Sequence, residues 1–244
     1  MRPFTIAVEG NIGAGKSTLV SYFKSVELFD VFLEPIDQWQ NVQGKHNLLQ
    51  LMYDNPISYG FTFQMYEHLT RVKIHTSRLS KNNKFKIMER SIFTARHCFI
   101  ENLKQKKVIT DVQFGVLDAW FRFLTSSLTM DMRVDLIVYL RTTPRVAWDR
   151  VKLRARDEEK DLSLEYIETI HSLHETWLLG NQVPCKVLVL DGDQNSEPIS
   201  HAYCKLVKSI LDNINYWNVA QTPPHSSFKY WCILIIFCNV YMCE

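Results

Sequence analysis

The stretch Gly10-Asn11-Ile12-Gly13-Ala14-Gly15-Lys16-Ser17 restricts what this chain can fold into more than any other feature. It satisfies G-x-x-x-x-G-K-[ST], a phosphate-binding loop that works only between a strand and a helix. Phe4-Thr5-Ile6-Ala7-Val8 supplies an apolar strand before it, and Thr18-Leu19-Val20-Ser21-Tyr22-Phe23 can continue it as a helix. Gly10, Gly13 and Gly15 allow the backbone to turn and come close to a polyphosphate. The freed N–H groups and the helix N-terminus add partial positive charge. Lys16 adds a full charge for the outer phosphates, and the hydroxyl of Ser17 is placed to hold Mg²⁺. The loop, Gly10 to Ser17 with Thr18 after it, therefore predicts a bound nucleoside triphosphate.

A chain of 244 residues, 46% hydrophobic and 22% charged, suits one α/β domain with a sizeable core. Its net charge of +2 gives no reason to expect a nucleic-acid partner or a stable membrane association. Cysteines 98, 185, 204, 232, 238 and 243 lack paired-ligand spacing and read as reduced thiols, the first three in the core. The first strand begins almost at Met1, so neither a secretory leader nor a transit peptide is expected. The expected location is cytoplasmic, with the nucleus as an alternative.

Each candidate strand is followed at once by polar residues able to do chemistry. Val31–Leu33 ends in Glu34-Pro35, Phe85–Met88 in Glu89-Arg90-Ser91, Val134–Leu140 in Arg141, and Lys186–Leu190 in Asp191-Gly192-Asp193. Apolar runs separated by helical stretches predict a five-stranded parallel sheet covered on both faces. Ligands bind such sheets beyond the carboxyl ends of the strands, so Glu34, Glu89, Arg90 and Arg141 should share an edge with the loop. A helical region from Leu48 to Leu79, broken at Pro56, brings Phe61, Phe63, Gln64, Tyr66 and Arg71 near that edge. Gln64 reads equally as a surface glutamine or as a planar amide facing a nucleobase.

Arg150, Lys152, Arg154 and Arg156 form a basic flank that suits a lid closing over phosphates. Lys104-Gln105-Lys106-Lys107 reads as a solvated helix end. Leu164, Ile167, Ile170, Leu173 and Trp177 keep the spacing of a core-facing helix stripe. His171 and His174 on it lack a third ligand, so the one metal expected is nucleotide-bound Mg²⁺. The apolar stretch from Tyr230 to Cys238 is short for a membrane span, even extended to Met242. A short anchor, an appended strand and an artefact of the sequence's derivation stay open for it. The expected division is a domain over 1–218 and a tail over 219–244.

No N-K-x-D motif accompanies the loop. The motifs that do, in order, are Glu9 to Thr18, Leu33-Glu34-Pro35, Phe63-Gln64-x-Tyr66, Met88-Glu89-Arg90-Ser91, Tyr139-Leu140-Arg141, Arg154-Ala155-Arg156-x-Glu158-Glu159 and Leu173-His174-Glu175-x-Trp177-Leu178. From Phe4 to about Asp193 the chain resembles the deoxyribonucleoside kinases, which include an insect multisubstrate enzyme, mitochondrial thymidine kinase, and deoxycytidine and deoxyguanosine kinases.

The resemblance implies an α/β P-loop kinase fold with an Arg-rich lid, and ATP-dependent 5′-phosphorylation of deoxynucleosides by a homodimer. It casts Glu34 as general base, Arg90 as holding the 5′-hydroxyl end, Lys16 as catalytic, and Glu89 with Ser17 at Mg²⁺. Trp39, Tyr53 and Gln64 border the nucleoside, Tyr53 and Glu159 grip the 3′-hydroxyl, and Arg154 and Arg156 are lid arginines. A thymidylate-type monophosphate kinase and a catalytically silent nucleotide-binding subunit are the alternatives.

Two positions depart from the pattern. Thymidine-accepting members have apolar residues three and seven places after the base-pairing glutamine, where this chain has Glu67 and Arg71. Arginine at the second place resembles the deoxycytidine and deoxyguanosine enzymes, which pair it with an aspartate at the position of Ala95 here. On a helix Glu67 can pair with Arg71 directly and replace that aspartate. The preferred base is left open, with thymidine expected to be a poorer substrate than deoxycytidine.

Overall fold

The computed structural model describes residues 2–81, 83–180, 183 and 185–193. The tail, the boundary at 218 and Cys204, Cys232, Cys238 and Cys243 lie outside the described residues. β1 (Phe4–Glu9) leads through the glycine loop into α1 (Lys16–Tyr22), then β2 (Phe29–Phe32). After β2 come α2 (Ile36–Gln40), α3 (Leu48–Asp54) and α4 (Pro56–Thr76), before β3 (Phe85–Glu89). α5 (Ile92–Thr94), a π-helical turn (Ala95–Ile100), α6 (Glu101–Gln105) and α7 (Asp111–Ser126) follow. β4 (Leu136–Arg141), α8 (Pro144–Arg154), α9 (Leu164–Leu178) and β5 (Lys186–Asp191) complete the order.

The five strands form one parallel sheet in the order β2-β3-β1-β4-β5, the α/β arrangement expected. All six residues of β1 are buried, as a central strand covered on both faces requires. On one face Ala7, Met88, Ile137 and Tyr139 pack with Trp177 and Leu178 of α9. α1, with Leu19 and Val20 wholly buried, packs on β1, β2 and β3. Cys98 is buried and Cys185 half-buried, both as free thiols.

Two strands sit differently from the apolar runs that predict them. β2 starts at Phe29, which pairs in register with Phe85 and packs ring to ring at 5.1 Å. It stops before Leu33, which turns into a cavity at the sheet edge. β4 starts at Leu136, because the Asp135 carboxylate accepts the Thr5 N–H at 2.8 Å where a ladder carbonyl would stand. The helical break at Pro56 is real. Asn55 caps α4 by accepting from the Ser58 N–H at 3.1 Å, with Pro56 in the first turn where it needs no N–H partner. α4 ends at Thr76, short of Leu79, where Lys86 of β3 donates to the carbonyls of Ile74, His75 and Ser77 at 3.0, 2.7 and 2.9 Å.

The loop that bears phosphate-binding character is held in a shape that requires glycine. Gly13 has φ +77°, and a Cβ there would stand 2.2 Å from the Ala147 carbonyl oxygen of α8. Gly15, at φ +95°, opens α1 with its left-handed backbone. No helix among the described residues is long and apolar enough to cross a membrane.

Candidate functional site

At the carboxyl edge of the sheet lies a cavity of about 580 Å³. Ile12, Gly13, Gly15, Lys16, Ser17 and Thr18 line one end, and Trp39, Phe63, Gln64 and Glu67 line another region of it. Glu34, Tyr53, Glu89, Arg90, Arg150, Arg154, Arg156 and Glu159 complete the polar lining. Residues spread over most of the sequence thus meet in one space, because parallel strands bring their ends together.

Several of the residues singled out do not line it. Gly10 lies behind the wall, where its carbonyl accepts from Arg90 Nη2 at 3.1 Å. Asn11 anchors the loop instead: its Nδ2 donates to the Ile167 carbonyl at 2.8 Å, and its Oδ1 accepts the Ile12 N–H at 2.8 Å. Ala14 is buried, with its carbonyl near the Thr142 hydroxyl at 3.4 Å. Arg71, at 1% exposed, sits under the cavity floor. Arg141 shares the sheet edge but turns to Glu175 at 2.6 Å, beside a separate hollow of about 320 Å³.

The centre of the site is the Glu34 carboxylate. Arg90 Nη1 donates to its two oxygens at 2.9 and 3.1 Å, and Arg71 Nη2 donates to Oε1 at 2.7 Å. Burial pushes this carboxyl up, but Arg90, Arg71 and Lys16 outweigh it and hold the group far below the usual carboxylate range. Arg90 reaches Glu34 from a left-handed backbone, φ +59°, fixed by its own N–H to Val8 at 2.9 Å. The next residue is also tied down: Ser91 N and Oγ both donate to buried Glu9, at 3.0 and 2.6 Å. Burial raises the Glu9 carboxyl, against the lowering by hydrogen bonds from Ser91 and Thr94.

Lys16 is 5% exposed and donates from Nζ to the Asn11 carbonyl at 2.7 Å. Burial, then the charge of Arg90, lowers it to about 7, with Glu89 and Glu34 pulling the other way. Beside it Ser17 Oγ donates to Glu89 Oε1 at 2.7 Å, and the other Glu89 oxygen meets the Glu34 N–H at 3.4 Å. One hydroxyl and one carboxylate next to a phosphate loop are the hard oxygen donors that Mg²⁺ takes alongside phosphates and water. The residues present fit that ion.

Around the other region, Trp39 donates to the Thr70 hydroxyl at 3.1 Å and meets Phe63 edge-on at 5.5 Å. Gln64 is 2% exposed, which decides between its two readings: it is a buried amide on the cavity wall. Burial, then Tyr166 and Glu159, pushes the Tyr53 phenol well up, so its O–H stays a donor. In the lid, Arg154 and Arg156 both grip Glu159, the latter at 2.7 Å, and Arg150 donates to the Gly192 carbonyl at 2.7 Å. The two arginines are partly exposed, whereas Glu159 is buried. Glu158 ties the lid to the wall by accepting from Gln40 and Asn47 at 2.8 and 2.7 Å. His174 is fully buried, stacked near Tyr139, with Nδ1 on the Ile170 carbonyl at 2.8 Å. The Lys104 to Lys107 run is exposed.

Phe99 and Tyr166 line the cavity with no sequence signal to announce them. Phe99 lies 4.9 Å under the Arg90 guanidinium and comes from the π turn, which breaks helical periodicity. Tyr166 stands beside the core stripe of α9, where spacing alone reads as boundary.

Comparison with known proteins follows this geometry. Residues 6–215 match the family model described as deoxynucleoside kinase. Human "Thymidine kinase 2, mitochondrial" is 43% identical over 195 residues, covering 79% of this chain and 72% of its own. Mouse deoxycytidine kinase is 32% identical over 241 residues, 86% of this chain and 91% of its own. Deoxycytidine kinase 1 of Xenopus laevis is 36% identical over 193 residues, 71% and 73% of the two chains.

The lowered Lys16 makes a signed prediction. Above about pH 7 the free protein holds this amine largely neutral, while a polyphosphate against Nζ favours the charged form. Nucleotide binding at pH 8 should therefore take up protons. Calorimetry in two buffers of different ionisation enthalpy reads this directly, and Lys16→Met should abolish it. Equal binding enthalpies in both buffers would show that Lys16 is charged before the nucleotide arrives.

Proposed function

The chain belongs to the deoxynucleoside kinase family, and from that premise we propose how its residues carry the reaction. The enzyme phosphorylates deoxynucleosides, with ATP as the donor the kinase family implies. The observation that carries the mechanism is the ionised Glu34, standing in one cavity with the phosphate loop and the Gln64 wall. A 5′-hydroxyl oriented by Glu34 attacks the γ-phosphorus, the bond to the β-phosphate oxygen breaks, and the hydroxyl proton passes to Glu34. Glu34 binds a proton poorly while both arginines hold it, so it serves first to orient the hydroxyl. It takes the proton late, as bond formation acidifies the oxygen. That timing suits the loose transition state of phosphoryl transfer.

Lys16 and the loop N–H groups neutralise the donor phosphates. Ser17 and Glu89 would hold Mg²⁺, which would supply charge neutralisation for the donor phosphates. Arg154 and Arg156, released from Glu159, complete the clamp over the transferred group. Glu159 and Tyr53 are then free to bind the sugar 3′-hydroxyl, and Trp39 and Gln64 border the base. A monophosphate acceptor is disfavoured, since its phosphate would meet the Glu34 carboxylate.

The enzyme is proposed to act as a homodimer. Val112, Val116, Trp120 and Phe123 recur along one side of α7 and are 76, 41, 46 and 57% exposed. A face of that kind supports helix-to-helix association. The proposed compartment is the cytoplasm, in keeping with the free thiols; cell fractionation separates it from the mitochondrion in the human relative's name.

Phosphorylation of the four natural deoxynucleosides by ATP, with deoxythymidine monophosphate as control, tests the reading; activity on the monophosphate alone would overturn it. Glu34→Gln should keep nucleoside binding and lower turnover by roughly a hundredfold or more, the size of a lost general base. Near-normal turnover would remove Glu34 from the mechanism. Light scattering should give a dimer mass that Val116→Glu with Trp120→Glu halves, and a monomeric wild type would discard the α7 interface.

A further inference from the structure

Three polar residues of α4, Gln64, Glu67 and Arg71, lie on one face of that helix and are 2, 2 and 1% exposed. Glu67 Oε1 accepts from Arg71 Nε at 3.0 Å and from Nη2 at 2.6 Å. The same Nη2 continues to Glu34 Oε1 at 2.7 Å. Half of each group is thereby used. Glu67 Oε2 and Gln64 Oε1 have no hydrogen-bond partner, although both atoms are buried and both residues line the cavity. A buried carboxylate oxygen without a donor is costly. Such an atom is tolerated where a ligand brings the donor.

The flanking walls say what kind of ligand. Trp39 and Phe63, which meet edge-on, line the cavity beside the pair, and the Arg71 guanidinium lies 5.7 Å from the Trp39 ring centroid. Aromatic walls of this kind suit a flat heteroaromatic ring with its polar edge toward α4. Two acceptors on that wall can be met together by one exocyclic amino group, which carries two N–H donors. An exocyclic carbonyl oxygen at the same place would set its lone pairs against the carboxylate. Arg71 itself does not line the cavity: Glu67 and Glu34 hold its Nε and Nη2, and its buried Nη1 has no hydrogen-bond partner among the described residues.

We propose that Glu67 makes this site select a 4-amino pyrimidine nucleoside over a 4-oxo one, with Gln64 as the second acceptor and Arg71 as the positioning residue. The inference rests on the deoxynucleoside kinase reading and names the substrate within it. Arg71 also links the base end to the reacting end, because the guanidinium that orders Glu67 is the one that orders Glu34.

The test compares deoxycytidine, deoxyuridine and thymidine by kcat/KM in wild type, Glu67→Gln and Glu67→Val. Deoxyuridine separates the oxygen from the methyl group. Wild type should prefer deoxycytidine to deoxyuridine by at least about tenfold, with thymidine close to deoxyuridine, as expected when a polar group is left unpaired. Both variants should lower that ratio by about tenfold, the amide because it can donate to a 4-oxo group. Deoxyuridine matching deoxycytidine, or ratios unchanged in the variants, would overturn the proposal while leaving the kinase reading intact. Phosphorylation of none of the nucleosides would overturn the kinase reading. Calorimetric binding of deoxycytidine against deoxyuridine then still decides the role of Glu67. Glu67→Gln, nearly equal in volume, keeps the test open where Glu67→Val fails to fold.

Discussion

A largely buried carboxylate between two guanidiniums holds the candidate site together. Glu34, Arg71 and Arg90 sit where the ends of β2 and β3 approach α4, and none of them is solvated enough to stand alone. Removing one partner of such a group leaves an uncompensated buried charge, which costs about 3–5 kcal/mol. The neighbouring elements are arranged accordingly. Buried Glu9 fixes Ser91 so that Arg90 can take its left-handed backbone, and Arg90 in turn holds the carbonyl of Gly10 at the start of the loop. The phosphate end and the base end are thus parts of one hydrogen-bonded assembly.

That assembly sets the chemistry available. In the mechanism we propose, the two arginines keep Glu34 ionised, which favours orienting a hydroxyl over pulling its proton early. Arg90 also lies close enough to Lys16 to help depress it, so the loop lysine is poised between charge states before a polyphosphate arrives. The partly exposed lid arginines rest on buried Glu159. In the proposed mechanism a substrate replaces the protein partners of Lys16 and of the lid arginines.

Much of this could be read from residue order. The glycine loop, Glu34 at a strand end, Glu89-Arg90 at another and the lid arginines each follow from what must lie at the carboxyl edge of a parallel sheet. The Glu67–Arg71 pair follows from helical spacing. What could not be read depends on packing across elements. Arg71 is a four-residue neighbour of Glu67 in any helix, but only the approach of Glu34 draws it beneath the cavity floor. Phe99 arrives through a π turn that no period predicts, and Lys86, a charge inside a buried strand, caps α4 from outside it. β2 is shifted because ring packing between Phe29 and Phe85 outweighs the apolar run that ends at Leu33.

The pH dependence of turnover at saturating substrates tests the central claim most directly. If Arg90 and Arg71 hold Glu34 ionised, turnover should show no acidic limb from this group down to about pH 5, since the carboxylate is lost only below its depressed range. An acidic limb between about pH 5 and 7 that shifts in Glu34→Asp would contradict the account. It would show that the carboxyl acts as a conventional base with a raised proton affinity, and that the two arginines do not control it.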